Sequence, residues 1–135
     1  MDNEAELLAK RAAELALTKK ATNTVIVDLR GVTDMTDFFV ICTADSDRQV
    51  KSVADAIMDG LREDGEKPYH AEGLQELNWV LIDYVDVVVH VFVKSARQFY
   101  SLEKLWGDAK FTYVDDTPEP TPEPKKPARR TAKKK

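Results

Sequence analysis

Residues 79–92 read WVLIDYVDVVVHVF, the apolar content of a buried β-hairpin, yet the stretch carries Asp83, Asp86 and His90, one of only two histidines in the chain. Taking Asp83 and Asp86 as the pair flanking a tight turn sets Ile82 opposite Val87, Leu81 opposite Val88, Val80 opposite Val89 and Trp79 opposite His90. Side chains alternate along a strand. One face therefore collects Val80, Ile82, Val87, Val89 and Val91, and the other Trp79, Leu81, Asp83, Asp86, Val88 and His90. The first set is wholly apolar and is the core side. The second mixes an aromatic ring, an imidazole and an acidic end, and a bulge at the turn would shift this register.

Two carboxylates and a histidine are metal-ligand types. His90 lies four residues from Asp86 on an extended strand, however, roughly 13 Å at ~3.3 Å per residue, which is too far for one ion without other ligands. The simpler reading has the aspartates capping a turn and His90 bonding locally. Asp45-Ser46-Asp47 is a second carboxylate pair, placed after a strand and before a helix. Such spacing holds metal in nucleotidyl-transfer enzymes, but N-cap residues belong at the same place and acids there suit the helix dipole. The chain has no Gly-rich phosphate loop, no Gly-Ser pair before the D-x-D, and no Ser/His/Asp or Cys/His arrangement of recognisable spacing. His70 beside Glu72 reads as a surface pair.

Outward from the hairpin the elements follow by period. Residues 4–20 are helical, with Leu8, Ala12, Leu15 and Ala16 on one face. TVIVDL (24–29) is a β-branched strand that Gly31 ends. DFFVICTA (37–44) is almost wholly apolar, which predicts a central strand covered on both faces. Ser46 and Gln49 make an S-x-x-Q capping box before the stripe Val50, Val53, Ala54, Ile57, Met58 and Leu61, with Gly65 as the stop. Residues 68–72 form a short edge strand because of Pro68. Residues 78–83 and 86–93 are the hairpin strands, and 96–105 resume helical spacing until Trp106-Gly107. The order α-β-β-α-β-β-β-α predicts a single small α/β domain: a mixed sheet of about five strands with helices packed on it.

At 135 residues, 43% hydrophobic and 33% charged, the chain suits one soluble domain with a real core. No apolar run approaches the ~20 residues of a membrane span, so no membrane partner is expected. The acidic, helical N-terminus resembles neither a secretory signal nor a transit peptide. Cys42, the only cysteine, lies in an apolar run and reads as a small buried hydrophobe. A bacterial-type cytoplasmic location fits.

The net charge of −4 conceals an asymmetry. Residues 117–135 hold two acids and seven bases, and residues 1–116 hold 22 acids and 13 bases. The expected division is a domain over 1–116 and a disordered, Pro-rich basic tail over 117–135. An acidic body repels nucleic acid and attracts a basic protein, while the tail is suited to weak rRNA contact. Trp79, Tyr84, Phe99, Tyr100 and Trp106 gather in the last third of the chain, and amphipathic rings left partly exposed are typical interface anchors.

The blocks DLRGVTDMTDFFVICTADSDRQVKSVAD (28–55), Glu72-Gly73, WVLIDYVDVVVHVF (79–92) and RQFYSLEKLWGDA (97–109) resemble the ribosomal silencing factor family, also called RsfS or Iojap. The resemblance spans Val25 to Ala109. It implies a nucleotidyltransferase-like α/β fold without that catalytic set, no cofactor and no metal. It also implies a non-enzymatic translation repressor, cytoplasmic and responsive to starvation. Such a protein binds the large ribosomal subunit through ribosomal protein fourteen and sterically blocks joining of the small subunit. Carried over by position, the contact surface falls on Trp79, Tyr84 and Tyr100, with Asp83, Asp86, Lys104 and Trp106 nearby. The family often has glycine where this chain has Val85, which resists the positive φ of a primed turn. Even so, Tyr84 in the turn is expected to point outward. The rival reading is a metal-dependent nucleotidyltransferase using Asp45, Asp47 and Asp83. A third is a homodimer of the free protein on the same aromatic patch.

Overall fold

Hydrophobic alternation and turn chemistry place nearly every element where the chain pattern puts it. The structure, a computed structural model, describes residues 4–97 and 109–114. Within them run α1 (Glu4–Thr18), β1 (Thr22–Asp28), β2 (Phe38–Ala44), α2 (Asp47–Glu63), β3 (His70–Glu72), β4 (Trp79–Asp83), β5 (Val87–Val93), the single turn α3 (Lys94–Arg97) and β6 (Lys110–Tyr113). The strands form one mixed sheet in the order β3-β4-β5-β2-β1-β6. β2 and β5 are parallel and all other neighbours antiparallel.

β2 is central and six of its seven side chains are buried, as its unbroken apolar run requires. The short β3 is an edge strand, as Pro68 foretold. The sheet has six strands rather than about five. The extra one, β6, closes the other edge against β1, and three of its four side chains are exposed. A strand that short and that wet has no alternation by which to find it. The expected helix over 96–105 is described only as far as Arg97, and the tail over 117–135 lies outside the described residues.

α1 and α2 pack on one face of the sheet. The buried residues of α1 are Ala5, Ala9, Ala12, Ala13 and Ala16, so the seam is narrower than a leucine stripe would make it. Leu8 and Leu15 are only partly buried and flank it, and Leu15 lies over Gly60 of α2. This face of the sheet supplies Val40, Cys42, Val80, Ile82, Val87, Val89 and Val91, all buried. A second, smaller core on the opposite face joins Val25, Val27, Leu29, Ile41 and Phe92. Among the described residues, no helix is long and apolar enough to cross a membrane.

The ends of α2 are specified locally. The Ser46 side chain accepts from Gln49 N at 3.2 Å. The Gln49 side chain does more than a capping box asks. Its Oε1 accepts from Asp45 N (2.6 Å), and its Nε2 donates to the carbonyls of Lys19 (2.9 Å) and Lys20 (3.1 Å). It therefore ties the start of α2 to the segment following α1. At the far end Gly65 has φ of +92°. Glu66 N bonds Leu61 O and Gly65 N bonds Arg62 O, the paired bonds of a Schellman stop.

The hairpin register differs from expectation by two residues. Trp79 pairs with Phe92, Leu81 with His90 and Asp83 with Val88. A primed turn centred on Tyr84 and Val85 would need positive φ at Tyr84, alone or with Val85, and only Val85 adopts it, at +75°. The turn instead sits one residue further along, with Tyr84 opposite Val87 and Tyr84 N donating to Val87 O at 2.8 Å. A shift of two preserves the side-chain parity, so both faces keep their expected members apart from Asp86, which moves into the turn.

Gln49→Ala removes two hydrogen bonds to the segment following α1 and one within the cap of α2, and is expected to destabilise the fold by about 1–3 kcal/mol. A urea unfolding curve checks this, and an unchanged midpoint would show that the bridge contributes nothing.

Candidate functional site

Pairing aligns side chains into rows across the face opposite α1 and α2. One row runs Leu81, His90, Ile41, Val25, and the next Asp83, Val88, Phe39, Val27. Burial falls along each row toward β4. Val25, Val27 and Ile41 are buried, whereas Phe39, Leu81, Asp83 and Val88 are only partly so. The sheet thus opens to solvent at its β4–β5 end.

Trp79 stands at the margin of this opening, half-buried. Its Nε1 donates to His90 Nδ1 at 3.0 Å, and its ring stacks on Phe92 at 5.1 Å between centroids. Phe39 meets the His90 ring edge-on at 4.5 Å. His90 is 4% exposed, so it bonds locally within an aromatic cluster.

Beside the cluster lies a groove of about 480 Å³. Phe39, Leu81, Val88 and His90 line its floor. Thr33, Met35 and Thr36 line it from the β1–β2 connection, Tyr69 from the residue before β3, and Val85 from the hairpin turn. Met35 is 81% exposed, Tyr69 79% and Val85 57%. Large apolar side chains thus stand in water around one concavity, which makes it the candidate site. Sequence reasoning missed Met35 and Tyr69, because both lie in loops and only the fold brings them together.

Asp83 lines the groove, and Asp34, Asp37 and Asp86 are chain neighbours of residues that line it. Asp34 and Asp86 are exposed, Asp37 and Asp83 partly so, and among the described residues none of the four pairs with a cation. Asp83 Oδ1 accepts from Val85 N at 2.7 Å, an Asx-type bond that holds the turn. The Asp86 backbone fastens the turn to β2: its carbonyl accepts from Asp37 N (2.9 Å) and Phe38 N (3.1 Å). Asp86 N donates to Tyr84 O at 2.9 Å across Val85, a γ-turn geometry that is uncommon and strained. The valine therefore takes the positive φ it resists.

Tyr84 does not point outward as expected. It is 8% exposed and belongs to the core under α1 and α2. The shifted turn sets Tyr84 opposite Val87 on the helix side, the parity that follows Asp83 on the open face. Its hydroxyl has no hydrogen-bond partner among the described residues. Burial pushes its pKa up to about 12; Glu66 adds to the shift and Arg62 opposes it.

Of the other expected site residues, Asp83 lines the groove and Asp86 lies in the adjoining turn, whereas Trp79 stands at the other end of β4, on the same face. Tyr100, Lys104 and Trp106, with Phe99, lie outside the described residues. The rival metal set is dispersed. Asp45 follows the end of β2 whereas Asp83 lies level with Phe39 near its start, about 20 Å away at strand rise. Ser46 is the N-cap and Asp47 the first residue of α2, which is the capping reading. Among the described residues, no group of three His, Cys, Asp or Glu is placed to hold a metal. His70 Nε2 and Glu72 Oε2 form the exposed pair anticipated, 2.6 Å apart, and Cys42 is buried.

Comparison with known proteins is consistent across sequence and structure. The family described as "Ribosomal silencing factor during starvation" matches residues 2–135. A Bacillus subtilis protein named ribosomal silencing factor RsfS is 43% identical over 108 residues, covering 80% of this chain and 92% of the relative. A maize protein named Iojap, chloroplastic, is 41% identical over 105 residues, covering 76% of this chain and 42% of the relative. A crystal structure of a Chromobacterium violaceum protein superposes with a TM-score of 0.75 at 32% identity, covering 87% of this chain and 98% of that one. A Bacillus halodurans structure gives 0.72 at 37% identity, covering 81% and 99%.

Two outcomes follow from the site's geometry. Gly73 has φ of +83°, and a Cβ there would collide with the carbonyl oxygen of Trp79. Gly73→Ala is expected to cost at least about 1–3 kcal/mol and to displace Trp79, read by thermal melting and indole fluorescence; wild-type values for both would contradict this. The raised Tyr84 pKa means that the folded state holds this proton more tightly than the unfolded one. That stability is present below pH 10 and is lost as pH rises through about 12. Tyr84→Phe should lose less stability over that range, measured by urea unfolding at stepped pH.

Proposed function

The chain belongs to the ribosomal silencing factor family, and from that premise we propose that it represses translation by docking on ribosomal protein fourteen of the large subunit and blocking the small subunit from joining. The observation that carries the docking surface is the apolar groove at the open end of the sheet, flanked by acids that have no cation of their own among the described residues. Ribosomal proteins are basic. A basic partner lays apolar side chains on Phe39, Leu81 and Val88 while Asp34, Asp37, Asp83 and Asp86 meet its cations.

Trp79, Met35 and Tyr69 are the anchors in this reading, and the family resemblance adds Tyr100, Lys104 and Trp106. Tyr84 acts from within, as core beneath the turn. Repression here is steric and involves no bond-making. The site of action is the ribosome's own compartment, the cytoplasm in a bacterial cell. Contact of the basic tail with rRNA and self-association of the free protein on the same surface belong to the proposal as secondary interactions.

Interface charges govern on-rate and specificity more than affinity, whereas buried anchors carry the energy. Trp79→Ala and Met35→Arg are each expected to weaken co-sedimentation with purified large subunits by at least about tenfold, or ~1.4 kcal/mol. Asp86→Asn should do less and act mainly on the salt dependence. Lys51→Ala, on the far side of α2, serves as the control. Wild-type binding by both Trp79→Ala and Met35→Arg would refute the docking face.

A further inference from the structure

We infer that His90 is a positioning residue for docking, holding the Trp79 indole in the orientation that the partner meets. The inference rests on the docking surface proposed above. His90 lies in the groove floor with only 4% of its surface exposed, so it offers a partner little surface of its own, and its effect on binding passes mainly through a neighbour. Trp79 and His90 are diagonal neighbours on adjacent strands, since Trp79 pairs with Phe92 and Leu81 with His90.

The indole N–H is a donor only. Its bond to His90 Nδ1 at 3.0 Å therefore requires that nitrogen to be bare, which puts the imidazole proton on Nε2. The imidazole is itself held, edge-on against Phe39 at 4.5 Å and nearly parallel to Phe92 at 6.3 Å. The indole lies over Phe92 at 5.1 Å and tilts 36° from the His90 ring. Among the described residues, one bond and two ring contacts thus hold this half-buried tryptophan. With its one polar atom engaged by His90, Trp79 offers a partner an apolar ring surface that is already ordered. Ordering a side chain before binding removes a cost otherwise met at the interface.

The histidine contributes an acceptor at a particular place, and asparagine supplies one at nearly the same place, because its Oδ1 branches from the same carbon position as Nδ1. Leucine and phenylalanine supply none. The test measures binding of purified large ribosomal subunits to wild type, His90→Leu, His90→Phe and His90→Asn, each also in a Trp79→Phe background. The two acceptor-less variants guard against a folding failure in either. Expected are affinities about 3- to 10-fold weaker for His90→Leu and His90→Phe, near-complete rescue by His90→Asn, and no further loss from any His90 change once Trp79 is phenylalanine. In ¹⁵N-labelled protein, the Trp79 indole N–H should exchange faster with solvent in the acceptor-less variants and slowly in His90→Asn.

Undiminished binding by a folded acceptor-less variant would overturn the inference. So would an equal loss in the Trp79→Phe background, because His90 would then act independently of the indole. Wild-type binding by both Trp79→Ala and Met35→Arg would instead bring down the docking reading itself, which keeps the two failures distinct.

Discussion

The constraint on which the molecule rests is the two-residue period of β4 and β5. Val80, Ile82, Val87, Val89 and Val91 are committed to the core under α1 and α2. Every residue between them must therefore face the other way, whatever its chemistry. That is how an indole, an imidazole and a carboxylate come to share one surface of a valine-rich hairpin. The constraint also explains why a register two residues from the expected one left the faces intact, since a slip of one would have turned the valines outward.

Much of this architecture is legible in the chain. The unbroken apolar run of β2 announced a central strand. Ser46, Gln49 and Gly65 bounded α2, and Pro68 marked the edge. The failures have physical causes. β6 has too few residues and too much exposure to show a period. The turn misled because Val85 occupies a positive φ that a β-branched residue seldom adopts, and with the turn's true shape went the orientation of Tyr84. Half of the groove was invisible. Met35 and Tyr69 lie in connections without periodicity, and only the fold brings the β1–β2 connection alongside the residue before β3.

Charge and shape then divide the work. In the proposed docking, the acids of the body steer a basic partner toward it, and the groove gives that partner somewhere to bury apolar area. The same acids make a poor metal centre, because Asp45 and Asp47 sit at the opposite end of the sheet from Asp83 and are engaged at the start of a helix. A surface that recognises, built on strands and backed by two packed helices, is consistent with a family named for silencing ribosomes.

Hydroxyl-radical footprinting of the protein, free and bound to purified large subunits, tests the central claim most directly. Met35 and Tyr69 are among the most exposed large side chains at the groove, and Tyr113, also exposed, lies on the opposite edge strand. The account predicts that oxidation of Met35 and Tyr69 falls sharply on binding while Tyr113 is unaffected. Met35 and Tyr69 oxidised equally in both states, with protection appearing elsewhere, would contradict it.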